Sequence, residues 1–249
     1  MALLLRHHIL LSVLIGFAVD CIVGDPEKLP HPVRWMGTLI SALDVRLHRY
    51  ADSPRKQRAK GALLVLCVCG ATAGLSALAV SAAFRVHVLA GIAVESLMCA
   101  QCIAARNLMD ASMKVFRALR DGDIPAARTA VSMIVGRDTA TLSAQGITKA
   151  AVETVAENAN DGVVAPLFYL LLGGPVCGMV YKAINTMDSM IAYKNRRYRF
   201  FGTVAARCDD AAGFVPARLC ALAMIAAAFL FCFDGKNAWK VFLRDRYKH

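Results

Sequence analysis

The stretch TKAAVETVAENANDGVVAPLFY (148–169) spaces Lys149, Glu153, Glu157 and Asp161 four residues apart, with Asn158 and Asn160 among them. On a helix those four side chains share one face. Carboxylates one turn apart repel by about a few tenths of a kcal/mol unless a cation sits between them. A Mg²⁺ held by oxygen ligands, with substrate phosphates completing its shell, would relieve that repulsion. The plainer alternative is a solvated helix face that stops at Asp161-Gly162. Against it, the chain runs straight on into Val, Leu, Phe and Tyr. Carboxylates at membrane depth are costly and tend to be functional.

A second constellation follows in YKAINTMDSMIAYKNRRYRFFGTVAARCDD (181–210). On a helix, Lys182, Asn185 and either Asp188 or Ser189 share a face. Lys194, Arg196, Arg197 and Arg199 come next, then Arg207 and the pair Asp209-Asp210. Phosphoryl chemistry needs this mixture: cations for phosphate oxygens, and Asp or Asn to carry a metal. Snorkelling arginines at a membrane surface would explain 194–199 alone, but not Asn185, Asp188 and the double Asp.

The third is VDCIVGDPEKLPHPVRWMG (19–37), where Gly24-Asp25-Pro26 predicts a turn and His31 stands on the restricted backbone before Pro32. A lone His near a membrane is more often structural, whereas Asp20 within an apolar helix is more suggestive. VGRDT (135–139) supplies Arg137 and Asp138, and by itself reads equally as a helix cap.

The elements that must position these residues are membrane helices. The chain is 57% hydrophobic, with mean hydropathy +0.49, too apolar for an ordinary soluble domain. Candidate embedded segments, judged against the roughly 20 apolar residues of a span, are Ile9–Val23, Gly61–Phe84, Val86–Ala105, Val163–Tyr181 and Leu219–Phe233. The first reads as an uncleaved helix, because Asp20 falls where a signal peptide would be cut. Gly70 and Gly74 have the spacing that lets two membrane helices approach closely. The net charge of +11 sits in loops: residues 34–60 hold seven Lys/Arg against two Asp, as in cytoplasmic loops. No aromatic-interleaved basic motif accompanies it, which argues against nucleic acid. The nine cysteines lie mostly in apolar runs and read as small apolar residues.

Residues 106–161 have helical periodicity broken by RDGDIPAAR, a turn with Pro at a helix start. Gly173-Gly174-Pro175 interrupts the apolar run after Asp161, as in a broken helix that dips into the membrane and returns. The expected fold is all-α and polytopic, one integral-membrane domain over 1–249 with about four to five embedded segments. Its polar segments 24–60, 106–162 and 182–218 would face the cytoplasm.

Taken together and in order, GDPEKLPHPVRWMG, VGRDT, ETVAENANDGVVAPLFY, YKAINTMDSMIAYKN, FGTVAARCDD and PARL resemble the CobD/CbiB family, the adenosylcobinamide-phosphate synthases of cobalamin biosynthesis. The likeness covers most of residues 17–219. It implies a multi-pass protein of the bacterial inner membrane. The implied reaction joins aminopropanol, or its phosphate, to a propionate carboxylate of adenosylcobyric acid, with ATP and Mg²⁺. Other late cobalamin-pathway membrane enzymes are implied partners beside the lipid bilayer. On this reading Glu157, Asn158, Asp161, Asp188, Asp209 and Asp210 serve metal and nucleotide. Arg137, Lys182, Asn185, Lys194 and Arg207 hold phosphates or substrate, while Asp25 and His31 contact substrate or deprotonate the amine. Ala192 and Gly213 stand where the family usually has Gly and Asn. The resemblance also implies a C-terminal segment after RDRYKH that this chain lacks. A membrane transporter, or another metal-dependent membrane transferase, is the rival reading. Asp20 and Glu95 within spans favour a transporter; the absence of any internal repeat does not.

Overall fold

The computed structural model describes residues 2–25, 31–49 and 51–245, with side chains from His8 onward. Residues 26–30 of the predicted proline-rich turn and the basic end at 246–249 lie outside them. Helix and turn account for the described chain, with no strand among the described residues.

Helix α1 (Ala2–Val23) packs along α4 (Val88–Cys102), and Gly16 permits the approach. A Cβ there would stand 2.5 Å from that of Cys99. The predicted close approach at Gly70 and Gly74 does not occur within the chain, because both face open space on α3 (Pro54–Val86). α2 (Pro32–Leu47) lies on α3, burying Met36 and Ile40 against Leu64, Val65 and Val68. The turn between α3 and α4 falls at His87, whose Nδ1 accepts the Leu89 N–H at 3.1 Å.

Four helical stretches, Pro54–Val86, Val88–Arg120, Ala144–Ile191 and Thr203–Leu230, are long and apolar enough to cross a membrane; His8–Val23 is a shorter apolar helix. Two of the four are interrupted. At Ile103 and Ala104 the chain breaks before α5 (Ala105–Arg120). Buried Asp20, from α1, closes that break: its Oδ2 accepts the N–H groups of Ala105 at 3.0 Å and Arg106 at 3.3 Å. Asp20 is therefore a cap supplied from another helix, satisfying donors that a helix start leaves free. α5, α6 (Ile124–Ser132) and α7 (Ala144–Ala159) form their own small core around Val115, Val131 and Ile147. Asp123 caps α6 through the Ala126 N–H, in the predicted Pro-started turn.

The other interruption organises the molecule. α7 does not stop at Asp161-Gly162; it passes through a π-helical turn, Asn160–Val164, into α8 (Ala165–Ile191). α8 then folds back on itself at Gly173 and Gly174, where the backbone leaves helical values. Tyr169 and Tyr181 stack with ring centroids 4.9 Å apart. In a straight helix those residues would be separated by about 18 Å. The run dips and returns as a helical hairpin, and α9 (Thr203–Leu230) packs beside it. α10 (Gly235–Asp245) rests on the far end of α9.

Gly174 has φ 67° and ψ −163°, a region open essentially to glycine alone. Gly174→Ala is expected to lower the stability of the detergent-solubilised protein by about 1–3 kcal/mol. Gly70→Ala, in open space, should leave the thermal midpoint unchanged. Equal midpoints for both variants would contradict the strained fold-back.

Candidate active site

The hairpin brings residues far apart in sequence to one mouth. Asp161, on the π turn, accepts from Asn160 Nδ2 at 2.7 Å and from Asn185 Nδ2, on the returning arm, at 3.4 Å. The Asn185 amide also lies against the carboxylate of Asp209, on α9. Asp188, one turn beyond Asn185, feels the charges of Asp210, Asp161 and Glu157. Asp209 in turn feels Asp188, Asp161 and Asp210. Five predicted carboxylates thus converge from α7, the π turn, α8 and α9. The stacked Tyr169 and Tyr181 form the apolar wall beneath, with Tyr169 O–H donating to the Ala212 carbonyl at 2.9 Å.

The π turn explains the local geometry. Its Ala165 N–H reaches back to the Asn160 carbonyl, five residues away, which leaves other groups of the turn without helical partners. One is used at once: the Gly162 carbonyl accepts the Ala104 N–H at 2.8 Å, joining the turn to the start of α5.

Two buried side-chain oxygens at this mouth, Asn160 Oδ1 and Asp209 Oδ1, have no hydrogen-bond partner. Unpaired buried acceptors are costly and call for a donor or a cation. Among the described residues no three His, Cys, Asp or Glu side chains form a ready-made cage. Hard carboxylate and amide oxygens are what Mg²⁺ accepts, since it is usually held by one or two carboxylates with water and phosphate completing its shell. The donor set fits that ion.

A second pocket of about 240 Å³ adjoins, lined by Asp25, His31, Arg34, Gln101 and Lys182. His31 is the N-cap of α2, its Nδ1 accepting the Val33 N–H at 3.3 Å, so the neutral ring carries its proton on Nε2. That nitrogen stands 3.5 Å from Asp25 Oδ2. Burial holds the His31 pKa below its ordinary value; Lys182 and Arg34 push the same way and Asp25 opposes them. Lys182 joins the two halves of the site, lining this pocket while interacting with Asp161, Asp25 and Asp20.

The remaining predicted residues lie around these centres. Asn158 turns away from Asp161, donating to the Thr154 carbonyl at 2.9 Å and lining a separate cavity of about 350 Å³ against α5. Arg137 is held by Glu153 at 2.9 Å, one turn before Glu157. Glu157 and Asp210 are exposed at the rim, while Lys194 and Arg207 are exposed with no contact among the described residues that ties them to the site. Glu95 sits elsewhere, buried between His8 at 2.8 Å and Ser12 at 3.0 Å.

Sequence reasoning did not assign Arg34, Gln101, Asn160, Tyr169 or Tyr181. Arg34 follows His31 at helical spacing, and Gln101 is a lone amide at the end of an apolar run; both signals were legible. The tyrosines meet only because the helix folds back.

The CobD/CbiB protein family model matches residues 13–249. The chain is 47% identical over 237 residues to the cobalamin biosynthesis protein CobD of Geobacter metallireducens, covering 95% of this chain and 74% of that one. It is 46% identical to the CobD of Citrobacter koseri, covering 94% and 74%. It is 44% identical to the cobalamin biosynthesis protein CbiB of Salmonella arizonae, covering 96% and 75%. No solved structure matches.

His31 with a lowered pKa resists protonation in the folded state while the unfolded chain takes up the proton, so its contribution to stability is lost as pH falls below about 6.5. Replacing His31 by Asn keeps a capping oxygen and removes that titration. Between about pH 7.5 and pH 5.5 the thermal midpoint of the native protein should fall further than that of His31→Asn. Parallel curves would show that His31 does not titrate as its surroundings require.

Proposed function

The chain belongs to the CobD/CbiB family, a multi-pass helical membrane protein of cobalamin biosynthesis, and from that premise we propose that it is an ATP-dependent amide-forming ligase. Its substrates would be adenosylcobyric acid and aminopropanol or its phosphate. The observation that carries the reading is the shared mouth. Asp161, Asn185, Asp188 and Asp209 face one another, and Lys182 leads from them into the Asp25–His31 pocket.

A carboxylate does not condense with an amine near neutral pH, so its oxygen must first leave as a better group. The corrinoid carboxylate attacks the γ-phosphorus of ATP, ADP departs, and an acyl phosphate forms. The amine then attacks the acyl carbon and inorganic phosphate leaves. A Mg²⁺ held by one or two of the carboxylates Asp161, Asp188 and Asp209 would supply charge neutralisation at the transferring phosphate. Lys182 supports the phosphate oxygens from the other side. Asp25 takes the proton released by the attacking amine. His31, whose Nδ1 is committed to the Val33 N–H, steadies Asp25 through Nε2 rather than acting as the base itself. The Tyr169–Tyr181 wall keeps water from the acyl phosphate.

The site end carries the basic segments 34–60 and 182–218, so it would face the cytoplasm of a bacterial inner membrane. A transporter reading loses its best support in Glu95, which His8 and Ser12 already satisfy.

Detergent-purified protein given adenosylcobyric acid, aminopropanol phosphate and Mg-ATP should yield a product of the amide's mass. Asp161→Ala and Asp188→Ala should each lower the rate by about a hundredfold or more while the protein stays in the membrane fraction. Near-normal turnover by both variants would remove this site, and no product from the native protein would count against the ligase reading.

A further inference from the structure

The segment between α8 and α9, residues 192–202, joins the helix bearing Asp188 to the one bearing Asp209. It is strapped to α2 by a carboxylate with no part in the chemistry above. Asp44 is 5% exposed. Its Oδ2 accepts from Arg197 Nη2 at 2.7 Å and from the Tyr198 hydroxyl at 3.0 Å. His48, the C-cap residue just past α2, stacks on Tyr198 and Phe201 with centroids 5.8 and 4.8 Å away. Two glycines let the backbones touch: Gly61 of α3 meets the Phe201 carbonyl, and Gly202 meets the Ile191 carbonyl at the end of α8. Arg197 is thus a structural partner, not one of a row of snorkelling cations.

We propose that Asp44 is a positioning residue, which clamps the 192–202 strap to α2 and so fixes Asp209 of α9 against Asp188 and Asn185 of α8. The physical argument is one of uniqueness rather than stability. Only the Asp44 end of this ion pair is buried, Arg197 being half-exposed, so the pair contributes little net energy, but moving away from it strands the Asp44 charge and one arrangement is selected. Here the arrangement selected is the seating of the α9 start. Without the clamp, α9 would stay helical and embedded, but its first turns would lose a fixed distance to the hairpin mouth. The catalytic consequence rests on the ligase reading; the clamp itself does not.

The test compares native protein with Asp44→Asn, Asp44→Glu and Tyr198→Phe by hydrogen exchange and by product formation across Mg²⁺ concentrations. In Asp44→Asn, amides of 195–210 should exchange at least tenfold faster, while those of α1 and α4 are unchanged. The Mg²⁺ concentration giving half-maximal rate should rise at least fivefold, with the thermal midpoint within error of native. Asp44→Glu should restore much of both, and Tyr198→Phe should show a smaller effect of the same kind. Unchanged exchange at 195–210 in Asp44→Asn would overturn the clamp. Faster exchange with an unaltered Mg²⁺ requirement would overturn its positioning role. If the native protein forms no product, the ligase reading fails, and the exchange measurement still decides the clamp.

Discussion

A helix that turns back inside a membrane loses hydrogen bonds at its bend, and nothing in the lipid can replace them. Gly173-Gly174-Pro175 solves this chemically: glycine adopts the left-handed turn, and proline brings no N–H of its own. Gly174 and Pro175 are buried in the bundle, where protein rather than lipid surrounds the irregular backbone. Much of the site follows from that fold-back. It sets Asp161 beside Asn185, stacks Tyr169 on Tyr181, and returns Lys182 to the level of His31.

The mouth so formed is electrostatically unfavourable by itself. Asp161, Asp188 and Asp209 repel one another in a partly buried setting, and the cations nearby are arranged unevenly. Lys182 approaches from one side, whereas Arg197 of the following segment is held by Asp44 and Arg199 lies over Phe200. The acidic face is left open to an incoming cation and its phosphate ligands. Proteins usually neutralise such clusters internally, and sites that do not are the ones that bind.

Much of this was legible from local chemistry. Asp161, Asn185 and Asp188 declared themselves by helical spacing next to apolar runs, and the Gly-Gly-Pro break foretold the return of the chain. Of the motifs that carry the family resemblance, those around Asp161, Asp188 and Asp209 meet at one mouth. What was hidden depends on non-local packing. The π turn has no compositional signature, since ENANDG reads equally well as a helix end. Asp20 looked like a membrane-embedded functional acid because its partners, two backbone N–H groups, leave no mark in sequence. Gly70 and Gly74 have a helix-contact spacing, yet contact was decided by which face of α3 turned inward. Asn158, adjacent to Glu157, rotates to the opposite groove for the same reason.

The Asp20 cap also bears on how the polypeptide is assembled as it leaves the ribosome. The carboxylate emerges 85 residues before the Ala105 amide it will hold, and enters the bilayer without that partner. The α5 end can dock only after the α3–α4 pair has been threaded through and has carried the chain back. The small α5–α7 core is then anchored at a point that exists only in the completed bundle. The cap thus forms only where α1 and α4 already lie side by side.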